Sequence, residues 1–280
     1  MLTIRSLRTA AAVAAIALTA AACGGTDDPA VEEDPAAEET TEEEGTEDDA
    51  EGDAAYELIQ DGTLTVCTDA PYPPFEFEDA DAPSGFSGFD IDLVQEMVDL
   101  EGLELNVVVT SFDAIQSGTA LAADSCDMAA SAMTINDERE ENVDFLDPYF
   151  DADQSLLSTT DGPATLADVT ALGVQGDTTG ADYAAENYDG EITEYPDGAA
   201  LRTALEAGNI EAILQDLPVN ALIAQEDDSY TIAETYPTGE EYGFAVAEGN
   251  TALRDALNAR LQEVRDAGTY DEIFAEYFDV

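Results

Sequence analysis

The spacing of apolar residues changes repeatedly between two periods along residues 56–280. Short apolar runs predict β-strands at residues 64–68, 105–109, 128–132, 171–174, 192–195, 212–214 and 242–246. Between them apolar residues recur at helical spacing, most clearly over residues 90–100, where Ile91, Leu93, Val94, Met97 and Val98 share one face. Helices are also predicted at residues 112–123, 251–267 and 270–277. This alternation indicates α/β sheets with helices on their faces.

The first 55 residues do not follow this pattern. Residues 1–22 carry Arg5 and Arg8 and then an alanine-rich apolar stretch, which is too short for a permanent membrane span and predicts a cleaved signal peptide. In residues 23–55 nearly half of the side chains are acidic and none is basic. Such a segment buries too little apolar area to fold, so we expect an extended, self-repelling tether.

The charge imbalance extends through the whole chain. It has 65 acidic residues and 7 basic ones, a formal net charge of -58. Molar salt shortens the Debye length to about 3 Å and mutes the resulting repulsion, which predicts a halophilic source. The sequence offers no basic surface for phosphates, so nucleic acid is excluded as a partner. It also contains no histidine, which removes the histidine-dependent nucleophiles and the usual zinc sites, and no metal or cofactor is expected.

The segment from Asp127 to Tyr149 holds the strongest candidate chemistry. A short buried strand delivers Ser131, Thr134 and then Arg139 to the end of the sheet, where open α/β sheets bind ligands. A guanidinium beside two hydroxyls is a set of donors suited to a carboxylate. The alternative is a surface arginine that pairs with the acidic residues around it.

Six stretches resemble, in order, the polar amino-acid family of bacterial extracellular solute-binding proteins, the receptors of ABC importers. They are residues 68–77 (TDAPYPPFEF), 88–93 (GFDIDL), 127–149, 172–179 (LGVQGDTT), 207–216 (AGNIEAILQD) and 241–246 (EYGFAV). The resemblance covers residues 56–280. It implies the two-lobed periplasmic-binding-protein type II fold, with residues 56–150 in lobe 1, residues 151–240 in lobe 2 and residues 241–280 returning to lobe 1. The crossings are predicted near residues 150–154 and 239–243, with hinge closure over the ligand.

The resemblance also implies the roles of individual residues. Arg139, Ser131 and Thr134 would hold the α-carboxylate of a free amino acid, together with Thr178 and Thr179 at a helix start. Asp216 would take the ammonium group, although without the resemblance an N-cap role is favoured. Tyr72 and Phe89 would enclose the carbon chain, and Asp69 would meet the distal polar group of a polar or basic side chain. The chain departs from the family with Asp177 where glycine is usual, which is unfavourable unless this acid points outward or caps the helix.

The N-terminal motif resembles a lipobox, with alanine instead of leucine three residues before Cys23. The resemblance implies lipidation at Cys23 and a monomer anchored to the outer face of the cytoplasmic membrane, with a permease and an ATPase as partners. An ordinary secretory signal with an incidental cysteine is the alternative.

Two further questions stay open on sequence alone. The protein could report its ligand as a tethered sensor, and the family fold also hosts dehydratases of cyclic acids. Cys67 and Cys126 could form a disulfide in an oxidising compartment. If Asp69 and Ser131 are level in the sheet, however, a straight strand would separate the two cysteines by more than the 7 Å that a disulfide allows.

Overall fold

The computed structural model describes residues 56–278. The predicted signal peptide, the acidic tether and Cys23 lie outside the described residues. The strands are β1 Thr63–Thr68, β2 Phe77–Glu78, β3 Phe86–Ser87, β4 Glu104–Val109, β5 Met128–Ala129, β6 Val143–Phe145, β7 Phe150–Thr159, β8 Ala171–Gln175, β9 Glu191–Tyr195, β10 Ala212–Asp216, β11 Tyr230–Tyr242 and β12 Ala245–Ala247. The helices are α1 Phe89–Glu101, α2 Phe112–Gln116, α3 Thr119–Ala122, α4 Thr179–Asn187, α5 Gly198–Glu206, α6 Leu217–Glu226, α7 Thr251–Ala267 and α8 Thr269–Phe278. No helix between residues 56 and 278 combines the length and apolar character that crossing a membrane requires.

Two five-stranded sheets organise this part of the chain. The first has the order β4-β1-β5-β12-β6 and belongs to lobe 1; the second has the order β11-β7-β10-β8-β9 and belongs to lobe 2. Each sheet contains three neighbouring parallel strands: β4, β1 and β5 in the first sheet, and β10, β8 and β9 in the second. Their carboxyl ends are where α/β sheets place ligands.

The connection between the lobes is made by the long antiparallel pair β7 and β11. Tyr242 pairs with Phe150 at one end, and Tyr230 pairs with Thr159 at the other, with register shifts between Ile232 and Glu234 and after Tyr236. The lobe 1 end of this pair is held in place by backbone hydrogen bonds from Gly243 to Met133 and from Ile135 to Glu241. Strands that run from one lobe into the other provide the two crossings that hinge closure requires.

The core of lobe 1 is rich in aromatic residues and includes the carboxyl-terminal helix. Phe89 packs against Phe150 and Phe278, with ring centroids 5.6 and 5.2 Å apart, and Tyr149 stacks on Phe244 at 4.1 Å. Such contacts bury large apolar areas. They fix α8 and the start of β7 to lobe 1.

Three predicted elements are shorter than expected or divided. The strand predicted at residues 242–246 divides into the end of β11 at Tyr242 and the separate strand β12. The helix predicted at residues 112–123 is broken into α2 and α3 at Gly118, which has φ 69° and whose α-carbon faces the Asn142 carbonyl too closely for a side chain. The strand predicted at residues 128–132 ends at Ala129. Beyond it the chain leaves the sheet and reaches φ 43° at Ala132.

A disulfide joins Cys67 and Cys126, whose Cα atoms are 5.6 Å apart. The expected register is correct, because Cys67 pairs with Ala129. The distance inferred from it was wrong, because Cys126 is not part of the strand: the chain turns at Asp124, which has φ 53°, and comes back towards β1.

Candidate functional site

A small cavity lies between the two lobes, at the carboxyl ends of β1, β5, β8 and β10. Its lining comes from both lobes: Asp69, Tyr72, Phe112, Ser131, Ala132, Thr134 and Arg139 from lobe 1, and Gln175, Thr178, Thr179 and Asp216 from lobe 2. Eight of the nine residues predicted from the sequence are in this set, and Phe89 is the exception. The predicted residues are thus brought together, which makes this cavity the candidate ligand site.

Arg139 is the buried cation of the cavity, with 3% of its surface exposed. It begins a short 3₁₀ turn, and its Nη1 donates to the Thr134 carbonyl at 2.7 Å while its Nη2 donates to the Asp177 carbonyl at 3.3 Å. Its guanidinium also lies over the Phe112 ring, 5.2 Å from the centroid. Burial lowers the pKa of Arg139, while Asp216 and Glu240 counteract this effect, and arginine stays charged in proteins.

No carboxylate within the described residues lies in ion-pair range of Arg139. The alternative of an arginine paired with its acidic sequence neighbours is therefore wrong. A buried guanidinium held by two carbonyls and a ring keeps donors for an anion in a fixed place.

Two hydroxyls of lobe 1 flank this guanidinium. Ser131 is 5% exposed; its Oγ accepts from the Asp69 N–H at 3.0 Å and donates to Glu76 at 2.7 Å. Thr134 is equally buried and donates to Glu240 at 2.7 Å. Ser131 is oriented by lobe 1 alone, whereas Thr134 is tied to a crossing strand.

The amino end of α4 forms the opposite wall. Thr178 is its N-cap, and its hydroxyl accepts from the Ala181 N–H at 3.1 Å. The preceding Asp177 has φ 63°, a conformation that favours glycine and accounts for the glycine usual in the family. Its side chain is exposed, and only its carbonyl is turned to Arg139. The acid at this position therefore points outward and leaves the pocket free for an anion.

Asp216 ends β10 on the other side of the cavity. Its carboxylate accepts from the Tyr72 hydroxyl and from the Gln154 amide, each at 2.6 Å. It occupies the N-cap position of α6, but its side chain makes no capping hydrogen bond, so the N-cap alternative is wrong. Burial, reinforced by Glu240, raises the pKa of Asp216 to about 6.

Asp69 faces lobe 2 from the end of β1. It accepts from the Gln175 amide at 2.8 Å, which is a direct contact between the lobes. Burial raises the pKa of Asp69 to about 6, with a further contribution from Asp197. Gln175 was not predicted, although its position at the end of β8 is the signal that identified the other residues.

The prediction for Phe89 was wrong. This residue is fully buried in the aromatic core of lobe 1, because it follows Gly88, whose α-carbon packs directly on the backbone of Phe75. That contact turns the start of α1 inward. The aromatic residue that joins Tyr72 at the cavity is Phe112, which follows β4.

Two polar residues from the crossing strands, Gln154 on β7 and Glu240 on β11, complete the site and were also not predicted. Glu240 on β11 accepts at one oxygen from the hydroxyls of Thr134 and Thr179, at 2.7 Å each, and from the Gln154 amide at 3.3 Å. This carboxylate therefore contacts one hydroxyl of each lobe and the other crossing strand. It lies where hinge closure and the ligand site meet.

The charges in and beside the cavity fit a ligand with two different ends. Arg139 presents donors on one side, and Asp69, Asp216 and Glu240 present acceptors on the others. The described residues contain no group of His, Cys, Asp and Glu side chains arranged for a metal ion. This geometry is suited to reversible binding of a zwitterion, and more so when that zwitterion carries an additional positive charge.

Comparison with known proteins agrees with this geometry. The sequence profile of bacterial extracellular solute-binding proteins, family 3, matches residues 64–280. A probable histidine-binding protein of Neisseria gonorrhoeae is 29% identical over 240 residues, covering 81% of this chain and 87% of that protein. The ABC transporter glutamine-binding protein GlnH of Bacillus subtilis (strain 168) is 31% identical over 199 residues, covering 68% and 72%. The solved structure of an ancestral arginine-binding protein bound to arginine matches with a TM-score of 0.70 at 31% identity, covering 78% of this chain and 98% of that one.

These similarities confirm the predicted two-lobed α/β fold of the type II periplasmic binding proteins. The family profile extends over nearly all of the described residues and well over half of the sequence. The protein therefore belongs to the bacterial extracellular solute-binding proteins, family 3.

Proposed function

We propose that this protein is the extracytoplasmic substrate-binding subunit of an ABC importer and that it captures a free polar or basic amino acid between its lobes. The observation that carries the proposal is the pairing across one cavity of a buried, carboxylate-free Arg139 in lobe 1 with Asp216 in lobe 2. An α-carboxylate and an α-ammonium are the two groups that these side chains would bind.

Closure follows from the same pairing. The lobes already meet through hydrogen bonds from Tyr72 to Asp216, from Gln175 to Asp69 and from Arg139 to the Asp177 carbonyl. A ligand that bonds to Arg139 and Asp216 at once adds contacts that exist only when the lobes are together. It therefore stabilises the closed form relative to the open one, and the closed form is what the permease would recognise.

The N-terminal segment would place this receptor at the membrane. We propose that Cys23 is lipidated and that residues 24–55 act as the tether of a monomer on the outer face of the cytoplasmic membrane. Its partners would then be the permease and the ATPase of the importer. The acidic composition supports a protein that works in high salt.

The test is thermal unfolding of the purified protein in molar salt with each of the twenty amino acids, ornithine and cyclic keto acids. An amino acid present at about one hundred times its dissociation constant adds about 2.7 kcal/mol and raises the unfolding temperature by about 5–10 °C. In Asp216→Asn the rise should fall to about half or less, because a loss of the charged partner costs roughly tenfold or more in affinity. Asp227→Asn is the matched control, since Asp227 is an exposed residue at the far end of α6.

The outcomes separate the functions. A rise confined to one or a few amino acids and reduced in Asp216→Asn supports the receptor. A rise with a cyclic acid alone would favour a dehydratase, and no rise with any amino acid would contradict the proposal. Transport and sensing are then separated by measuring uptake in cells that lack this protein.

A further inference from the structure

Two carboxyl groups lie behind the cavity, inside lobe 1, without lining it. Glu76 precedes β2, Asp90 is in the first turn of α1, and both are 0% exposed. Neither has an arginine in ion-pair range within residues 56–278. Two ionised carboxylates in such a place would be strongly destabilising.

Each carboxyl group is hydrogen-bonded to the segment that lines the cavity. One oxygen of Glu76 accepts from the Ser131 hydroxyl at 2.7 Å. One oxygen of Asp90 accepts from the Ala132 N–H at 2.8 Å and from the Tyr149 hydroxyl at 2.7 Å. Ala132 has φ 43°, a conformation that an alanine adopts only when its surroundings hold it there. The two acids therefore fix the backbone turn that brings Ser131 to the cavity.

The other oxygen of each group has no protein partner. Glu76 Oε2 and Asp90 Oδ1 are both buried and lack a hydrogen bond within the described residues. One proton held between the two groups would remove one of the two charges and provide the missing donor. In agreement, burial raises the pKa of Asp90 to about 7, and burial together with the charge of Asp90 raises the pKa of Glu76 well above its usual range.

We propose that Glu76 and Asp90 share one proton and that this protonated pair positions Ser131 and Ala132 for the carboxylate of the ligand. Loss of the proton would put two negative charges behind the carboxylate subsite and loosen the turn at Ala132. Ligand affinity should therefore fall as the pH rises. The positioning role rests on the proposed function, whereas the shared proton does not.

Other titratable groups face the pair and must be separated from it. They are Asp69, Asp216, Tyr72, Tyr149 and Tyr270. Burial raises the pKa of each of these tyrosines, so they stay neutral below pH 9. Asp69 and Asp216, whose pKa values are raised to about 6, become charged as the pH rises and would attract a ligand ammonium. Their effect on affinity thus has the opposite sign to that of the Glu76 and Asp90 pair.

The binding experiment is calorimetric titration with L-arginine and with L-glutamine between pH 6.5 and 8.5. We expect the affinity of the unchanged protein to fall roughly three- to tenfold over this interval, since one linked proton gives at most tenfold per pH unit. In Glu76→Gln one of the two groups no longer titrates, and the amide supplies a permanent donor while its oxygen can still accept from Ser131, so the slope should become smaller. Asp127→Asn is the matched control: Asp127 is buried in lobe 1, bonds to the Ile59 and Thr65 N–H groups and does not line the cavity, so the slope should remain.

A second experiment needs no ligand. A carboxyl group with a folded-state pKa above its unfolded value binds more protons in the folded protein, so stability decreases as the pH rises from about 4.5 through the raised pKa. The unfolding temperature of the unchanged protein should fall over pH 4.5–8, and Glu76→Gln and Asp90→Asn should each show a smaller fall than Asp127→Asn.

Equal unfolding slopes in Glu76→Gln, Asp90→Asn and the unchanged protein would overturn the shared proton. An unchanged binding slope in Glu76→Gln would overturn the positioning role. If no amino acid raises the unfolding temperature in the screen described above and neither L-arginine nor L-glutamine binds at any pH, the positioning role fails together with the proposed function, and the unfolding slopes alone decide the shared proton.

Discussion

The two lobes differ in the polar groups that they bury. All four buried charged residues of the described part lie in lobe 1: Glu76, Asp90, Asp127 and Arg139. The buried polar residues of lobe 2 are all uncharged: Gln154, Ser155, Ser158, Gln175, Gln215 and Asn220. One lobe therefore supports its side of the cavity with charge, and the other with amides and hydroxyls.

This difference predicts how each lobe responds to change. A buried charge is stable only while every partner is in place, so lobe 1 should be sensitive to pH and to substitution. Lobe 2 holds its strands with a neutral network, in which Asn220 bonds to Gln215 and Ser155. Such a network does not titrate. We therefore expect the anionic end of the ligand to be bound by a rigid, charge-dependent surface, and its cationic end by Asp216 on a scaffold that does not itself titrate.

The largest effect should come from the buried cation itself. Arg139→Ala should weaken amino-acid binding roughly a hundredfold to several thousandfold, because it removes the positive charge that lines the cavity and the two hydrogen bonds to the Thr134 and Asp177 carbonyls. Arg139→Lys should also lose most of the affinity, since an ammonium lacks the planar fork. Calorimetric titration measures both.

The control lies in the same lobe. Arg254 on α7 is half-buried, pairs with Asp255 at 2.8 Å and does not line the cavity. Arg254→Ala should bind as the unchanged protein does, because surface pairs contribute little. Undiminished affinity in Arg139→Ala, with unfolding at the usual temperature, would show that lobe 1 does not bind the ligand through its charge.

The site was predictable where strand ends carried polar residues. Ser131, Arg139 and Asp216 follow short apolar runs, and the carboxyl ends of parallel strands meet at one edge of a sheet, so their convergence follows from the topology. The prediction for Phe89 was wrong because the direction of its side chain depends on the contact of Gly88 with the backbone of Phe75, which the spacing of apolar residues does not reveal. The role of Glu240 depends on the pairing of two crossing strands that are far apart in sequence.

The disulfide shows a second limit of sequence reasoning. A register predicts distances only for residues that stay in the strand, and β5 is two residues long. The turn that returns Cys126 to Cys67 requires a positive φ at Asp124, and the sequence alone does not indicate this conformation. The backbone conformation at Asp124 therefore allows the Cys67–Cys126 disulfide, which the geometry of a straight strand excludes.

This disulfide leads to a stability difference between the lobes. The bridge spans 59 residues of lobe 1, and lobe 2 has none within the described residues. Replacing Cys67 and Cys126 by alanine should lower the free energy of unfolding by about 2–4 kcal/mol, because the unfolded chain regains the freedom of that loop. Neither cysteine lines the cavity, so ligand affinity should not change. Urea unfolding measures the stability, and the reduced unchanged protein is the control that should match the variant; a loss of affinity with equal stability would contradict this account.

The smallest effect should appear where the two lobes touch. A Cβ at Gly198, the first residue of α5, would lie 3.0 Å from Cδ2 of the Tyr72 ring across the cleft. Gly198→Ala should therefore hinder closure and weaken binding by about fivefold, which corresponds to the lower end of overpacking costs, about 1 kcal/mol. The same change should raise the unfolding temperature of the ligand-free protein slightly if that form is open, because alanine favours the helix.

Gly176→Ala provides the matched control in the same lobe. A Cβ there has no neighbour closer than 3.7 Å, which is ordinary van der Waals contact, so binding should be unaffected. Opposite signs for stability and affinity in Gly198→Ala, measured by thermal unfolding and calorimetry, would place the effect on closure. A parallel loss of both would instead indicate that lobe 2 itself is damaged, and the neutral lobe would then be less tolerant of change than its buried amides suggest.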